Sequence, residues 1–195
     1  MILKTYELNK INLIDQKLVL LYGKNEGHKN EVKKLLLKDK KEITSYEEKE
    51  ILDNHNNFLE SLLSKSLFEK EKIIIIKRAT DKIVKLINDL SFKELKDTII
   101  IIIADNLEKK SKLRSLIEKD KRYICIAFYP DNNQLLLNLT QSFLREKKIS
   151  LSPSNINLII NKCGGDRETL LKELEKIEYF SKSNRKITSE NISKL

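Results

Sequence analysis

The chain has 195 residues, 38 of them Lys or Arg and 29 Asp or Glu, for a formal charge of +9 at neutral pH. Hydrophobic residues make up 40% and charged ones 34%, with only four Gly and two Pro. This excludes an acidic solvating protein and collagen-like, mucin-like or disulfide-scaffold chains, and leaves a globular chain with a buried core.

In chain order, short apolar runs at 18–22, 73–76, 98–104 and 123–128 read as strands covered on both faces, because their apolarity is continuous and rich in Ile and Val. Between them lie helical patterns. Residues 28–38 set Val32, Leu35 and Leu36 on one face, residues 81–90 do so with Ile83, Leu86 and Ile87, and residues 109–119 with Leu113, Leu116 and Ile117. The stretch 43–65 reads as largely helical. Strands alternating with helices predict right-handed crossovers and a parallel sheet in an α/β domain.

After the turn Tyr129-Pro130-Asp131 the character changes. Residues 133–147 form an amphipathic pattern, and no later run resembles a buried strand. Ser152 is placed to cap a helix beginning at Pro153, Gly164-Gly165 to stop it, and Asp166 to cap the next one. Thr188 caps a last helix. The predicted division is an α/β domain over 1–149 and a small all-helical domain over 150–195.

The run from Gly23 to Asn30 stands where a phosphate-binding loop belongs, directly between a strand and a helix. Such a loop needs converging backbone amides, a Lys for the outer phosphates and a following hydroxyl for magnesium. Here the second glycine, Gly27, comes one position early, Lys29 does not follow it directly, Asn30 replaces the hydroxyl, and Glu26 adds a negative charge. Lys77 and Arg78 occupy the strand end where an acidic metal ligand is needed. Nucleotide hydrolysis is therefore not expected, and no cofactor or metal is assigned.

Cys125 and Cys163 lack zinc or redox spacing and read as buried thiols. His28 and His55 sit in no catalytic motif and read as surface residues. Asp105 reads as a cap for the helix expected near Lys109, in preference to a catalytic group. The longest apolar runs are too short to cross a bilayer, so a soluble, cytoplasmic protein is expected. Of the 38 basic residues 32 are Lys, spread along the chain and densest from Lys109 to Arg122. That distribution suits phosphate contact better than base readout, with Lys109, Lys110, Lys112 and Arg114 as possible DNA contacts. A compositional bias without binding purpose accounts for the same lysines.

The stretch 43–65 delivers Ser66-Leu67-Phe68 just before a charged turn and the next strand. Leu67 and Phe68 either staple a helix to the sheet or protrude as an apolar pair, each able to contribute roughly 1.5 to 3 kcal/mol in a partner's pocket.

The ordered set Leu20 to Glu26, Ser66-Leu67-Phe68, Ala104-Asp105-Asn106-Leu107, Lys110 to Arg114, Tyr129-Pro130-Asp131, and Gly164-Gly165-Asp166-Arg167 leading to Glu173-Leu174-Glu175-Lys176-Ile177 resembles the delta subunit of bacterial DNA polymerase III. The resemblance covers nearly the whole chain and rests on order and spacing. It implies an AAA+-type α/β domain followed by a helical lid, in a clamp loader subunit that binds and opens the beta sliding clamp without ATPase activity of its own. By position, Leu67 and Phe68 are then the clamp-binding plug and Ser66 shapes its approach. The implied partners are the beta sliding clamp, the other clamp loader subunits and primed DNA, and no membrane. Ser64 stands where Gln is common in that family, and Lys65 where an apolar residue is. The family's third, collar domain has no counterpart before Leu195. The alternatives are a P-loop-type enzyme and a generic DNA-binding module.

Overall fold

The structure is a computed structural model that describes residues 1–38, 42–63, 72–90, 98–183 and 187–194. Its contacts divide the chain into two compact units, one of residues 1–24 and 34–128 and one of residues 25–33 and 129–195.

The first unit is built on a six-stranded sheet of order β1-β6-β2-β5-β4-β3, with every pairing parallel. Its strands are β1 (Ile2–Leu3), β2 (Leu18–Gly23), β3 (Ile43–Glu47), β4 (Lys72–Lys77), β5 (Thr98–Ala104) and β6 (Tyr123–Phe128). The four predicted strands are β2, β4, β5 and β6, the inner four of the sheet. Their side chains alternate between faces and are buried on both, which is why the sequence shows apolar runs there and no alternation. Leu18, Leu20, Ile74, Ile76, Ile100 and Ile102 point to one face. They share a core with Ile51, Phe58 and Leu62 from the helices α2 (Glu48–Asp53) and α3 (His55–Leu63), Leu86 and Ile87 from α4 (Val84–Asp89), and Leu113 and Ile117 from α5 (Lys112–Lys119).

The expected helix over 43–65 is corrected in its first turn, where residues 43–47 form β3. Ile43, Thr44 and Tyr46 favour extended backbone, and a strand at the sheet edge with exposed side chains lacks the continuous apolarity that marks the others. β1 went unpredicted for the same reason, being two residues long at the other edge.

Two further corrections concern caps. The helix expected from 109 starts at Lys112, and Asp105 does not cap it. Ser111 does, accepting from the Arg114 amide at 3.2 Å, while Asp81 Oδ1 accepts from the Leu113 amide at 3.0 Å and the Ser111 hydroxyl at 2.6 Å. Those two hydrogen bonds hold the Asp81 carboxyl below its usual range. At the end of β4, Arg78 adopts φ 54° and pairs with Glu47 at 2.7 Å, and buried Glu48 accepts from the Thr80 amide and hydroxyl.

The second unit holds the start of α1 (Glu26–Leu36) and the helices α6 (Asn133–Glu146), α7 (Pro153–Lys162), α8 (Arg167–Ser181) and α9 (Ser189–Lys194). Ser152, Pro153 and Asp166 take the expected cap and first-turn positions. Leu136 and Leu144 of α6 share one core with Ile156, Ile159, Ile160, Leu170, Leu174, Ile177 and Ile192. This division therefore differs from the boundary drawn at 149/150. The apolar stripe of α6 faces the later helices, a fact about packing that its amphipathic pattern does not carry.

Candidate functional site

The candidate site is the loop between β2 and α1, at the carboxyl end of the central strand, where open α/β sheets bind ligands. On the sheet side, Gly23 ends β2 at φ 126° and lies in register with Phe128 of β6. A Cβ there would stand 2.2 Å from the Phe128 carbonyl oxygen, so only glycine permits this approach. The Gly23 amide donates to the Asp105 carbonyl at 3.1 Å, which gives Asp105 a backbone role at the loop's root.

Within the second unit, the first turn of α1 is closed by protein groups. Asn25, buried, accepts from the His28 amide through Oδ1 at 3.0 Å, and its carbonyl accepts from the Lys29 amide at 3.0 Å. Its Nδ2 donates to the Tyr129 carbonyl at 3.0 Å and to Asp131 Oδ2 at 2.9 Å. The His28 amide, one that a bound phosphate would use, is thereby taken by the Asn25 side chain, and the Lys29 bond is the first of the helix's own ladder. Gly27 meets the backbone of α8: a Cβ there would stand 2.7 Å from the Glu168 nitrogen. A position too tight for a methyl group has no room for a phosphate oxygen on that side. Lys29 is 2% exposed, and its Nζ lies 2.6 Å from Glu26 Oε1.

Arg167, in the first turn of α8, ties this region together. Its guanidinium takes Glu31 in a fork, Nε at 3.1 Å and Nη2 at 2.8 Å, and Nη1 reaches both oxygens of Asp131 at 3.2 Å. The Arg167 side chain is 12% exposed and that of Asp131 4%. Burial opposes the Arg167 charge, but Glu31 and Asp131 more than offset it and raise its pKa. His28 is half-buried beside them, which corrects its assignment to the surface. Burial, and then the Arg167 charge, push its imidazole below the ordinary value, with Glu31 and Asp131 opposing. His55 is also half-buried, with Nε2 3.9 Å from Asp89.

Of the other residues singled out in the sequence, Ser66, Leu67 and Phe68 lie outside the described residues, between the end of α3 at Leu63 and the start of β4 at Lys72. Lys109, Lys110 and Lys112 are exposed, and Lys110 pairs with Glu108 at 3.0 Å. Arg114 is engaged within the first unit. It bonds Glu118 at 2.8 Å and the Leu107 carbonyl at 3.2 Å, and lies over the Tyr22 ring at 5.2 Å. Cys125 and Cys163 are free and buried, and burial raises both thiols, Cys125 to about 12. Among the described residues no three His, Cys, Asp or Glu side chains are grouped to hold a metal ion, and no helix is long and apolar enough to cross a membrane.

The Arg167 network was not read from the sequence. Tyr129-Pro130-Asp131 and Gly164-Gly165-Asp166-Arg167 stood out only as turn and helix signals, and as parts of a resemblance. A basic residue directly after a helix cap, with an acidic residue in a distant turn, is the one signal that pointed there.

No protein-family model matches this sequence, and no curated protein matches it. Solved structures do match in fold. The Bacillus subtilis DNA clamp loader delta protein superposes with a TM-score of 0.63 at 13% identity, over 98% of this chain and 62% of that one. A Thermotoga maritima RuvB variant gives 0.54 at 12% identity, over 91% and 60%, and AMPPCP-bound DnaA from Aquifex aeolicus gives 0.53 at 14%, over 89% and 59%. The chain thus spans about three fifths of the length of each. The fold implied by the sequence resemblance is the fold observed: an AAA+-type parallel sheet flanked by helices, with a helical unit beside it in the chain.

Proposed function

We propose that this chain is a clamp loader subunit of the delta type, which binds the beta sliding clamp and favours its open form without hydrolysing ATP. The observation that carries the reading is the closed start of α1. An AAA+-type fold keeps its loop at the phosphate position, yet the Asn25 side chain accepts the His28 amide, α8 backbone abuts Gly27, and Lys29 is paired inside. A loop so filled suits a subunit that responds to nucleotide on its neighbours.

In this reading Leu67 and Phe68 form the plug that enters a pocket on the clamp, with Ser66 shaping the approach. α3 and β4 anchor the two ends of that segment. Clamp opening then follows from differential binding: a protein that docks more tightly on the open ring shifts the equilibrium by its affinity ratio for the two states. No bond is made or broken. Lys109, Lys110 and Lys112 lie on the surface proposed to face primed DNA, and Arg114 supports that helix from inside.

The test is co-purification and titration with the beta sliding clamp. Leu67→Ala with Phe68→Ala removes about 3 kcal/mol or more of burial, roughly a hundredfold in Kd, with the thermal transition unchanged. Clamp binding that survives this double change refutes the plug. Tight magnesium-dependent ATP binding with turnover refutes the closed loop and favours a P-loop-type enzyme.

A further inference from the structure

Within the first unit, β3 pairs only with β4 among the described residues and leaves its other edge uncovered. The Ile73 amide donates to the Glu42 carbonyl at 3.1 Å. In a parallel pair this sets the alternation: Glu42, Thr44 and Tyr46 turn their backbone groups to β4, and Ile43, Ser45 and Glu47 turn theirs outward. The Glu47 amide is taken by Glu50 Oε2 at 2.8 Å, in the capping box that starts α2. Ser45 is exposed, and its amide and carbonyl meet no partner among the described residues. An edge strand with unpaired backbone groups is a template for another extended chain.

Ser45 also lines a recess of about 470 Å³, room for one long side chain. Ile51, Phe58 and the Tyr46 ring give it an apolar side, the two rings meeting edge to face with centroids 5.2 Å apart. Asn54 and Asn57 bring carboxamides that make no hydrogen bond among the described residues, and Glu50 is the one charged side chain in the lining. The charge around it runs against that of the chain. Residues 47–60 hold five acidic residues and one basic one, in a protein of net charge +9. Glu47 is matched by Arg78 and Glu48 is buried against Thr80, but Glu50, Asp53 and Glu60 are exposed and make no ion pair among the described residues. A carboxylate with an idle oxygen, two carboxamides and aromatic rings suit a guanidinium, which has five donors and a planar face.

We propose that β3 and this recess dock an extended basic segment of another protein, which adds as a strand along Ser45 and places an arginine in the recess. The backbone edge supplies affinity for any extended chain, and Glu50 with Asn54 and Asn57 supplies the preference for a basic one. A second copy of this chain is disfavoured, because two β3 edges side by side bring the unpaired acids of both copies together. The site uses none of Ser66, Leu67 and Phe68, so it stands or falls apart from the clamp reading.

The experiment follows NMR signals of the full chain, without clamp, during titration with the end-blocked peptide Thr-Lys-Val-Arg-Val-Lys-Thr. A control peptide carries Glu in place of Lys and Arg, at equal ionic strength. The basic peptide is expected to shift the Ser45 and Tyr46 amides and the Asn54 and Asn57 carboxamides, and the acidic one to leave them. Glu50→Gln keeps an acceptor for the Glu47 amide, so α2 stays capped, and is expected to weaken binding about tenfold, the size of one charge-assisted hydrogen bond. Ser45→Pro removes an outward amide and no bond to β4, and is expected to weaken binding by a similar factor. Thermal midpoints accompany both variants, and if Ser45→Pro lowers its own, Glu50→Gln decides. Unmoved Ser45 and Tyr46 amides, or unchanged affinity in Glu50→Gln, overturn the site. Equal shifts with both peptides overturn the basic partner. Concentration-dependent shifts at Ser45 with no peptide present overturn it in favour of a second copy.

Discussion

Replacing Arg167 with Met keeps much of the side chain's length and removes its charge and five donors. Asp131 is then left 4% exposed with a negative charge, facing the Asn25 amide and the neighbouring His28, while Glu31, one-third exposed, regains water. Breaking a buried ion pair from one side typically destabilises by about 3 to 5 kcal/mol. The partial exposure of Glu31 places Arg167→Met near the lower end, about 3 kcal/mol. For a chain of this length each kcal/mol moves the thermal midpoint by roughly 2 to 4 °C, so the expected drop is about 6 to 12 °C. Circular dichroism melts supply the midpoint, and urea titrations of the single and double variants complete a cycle. Asp131→Asn added to Arg167→Met removes the stranded carboxylate and recovers part of the loss, so the two changes are not additive. A drop under about 2 °C for Arg167→Met, or strict additivity in the cycle, would refute the view that Arg167 neutralises a buried acid.

Three further outcomes follow from the same geometry. Gly27→Ala gains about 1 kcal/mol of helix propensity where space is open; here the added carbon meets the α8 backbone at 2.7 Å, and net destabilisation by about 1 to 3 kcal/mol is expected in urea titration. A stabilised Gly27→Ala variant contradicts the close approach. His28 takes its proton at a lower pH when folded than when unfolded, so the unfolded chain binds more protons between the two values. Its contribution is complete above about pH 6.5 and is lost as pH falls from there toward the depressed value, so His28→Gln should show a flatter urea midpoint than the parent chain between pH 7.5 and 5; parallel profiles refute this. Cys125, buried and raised to about 12, should resist a thiol reagent in the folded chain and react in urea. Labelling at the rate of a free thiol under native conditions contradicts its placement.

The inner strands were legible because a strand buried on both faces leaves an uninterrupted apolar run, as 73–76 and 98–104 do. The caps at Ser152 and Asp166 were legible because a cap is a local hydrogen bond between a side chain and an amide two or three residues on. Asp105 failed as a cap since the helix began three residues beyond Lys109, where Asp81, 30 residues earlier, joined Ser111 at the helix start. β3 escaped since an exposed edge strand carries neither of the patterns that distinguish strand from helix.

The phosphate loop divides most clearly between the two levels of description. The residue types alone determined that it lacks a magnesium hydroxyl and carries a misplaced Lys, because the chemistry of a phosphate loop is a matter of side chains a few positions apart. Only the tertiary structure decided what fills it. Asn25 reaches Asp131 across 106 residues, and Arg167 reaches Glu31 across 136. Contacts at such separations depend on how helices pack, which no local periodicity encodes, and it is that packing which sets α8 over Gly27 and holds the Asn25 side chain against Asp131.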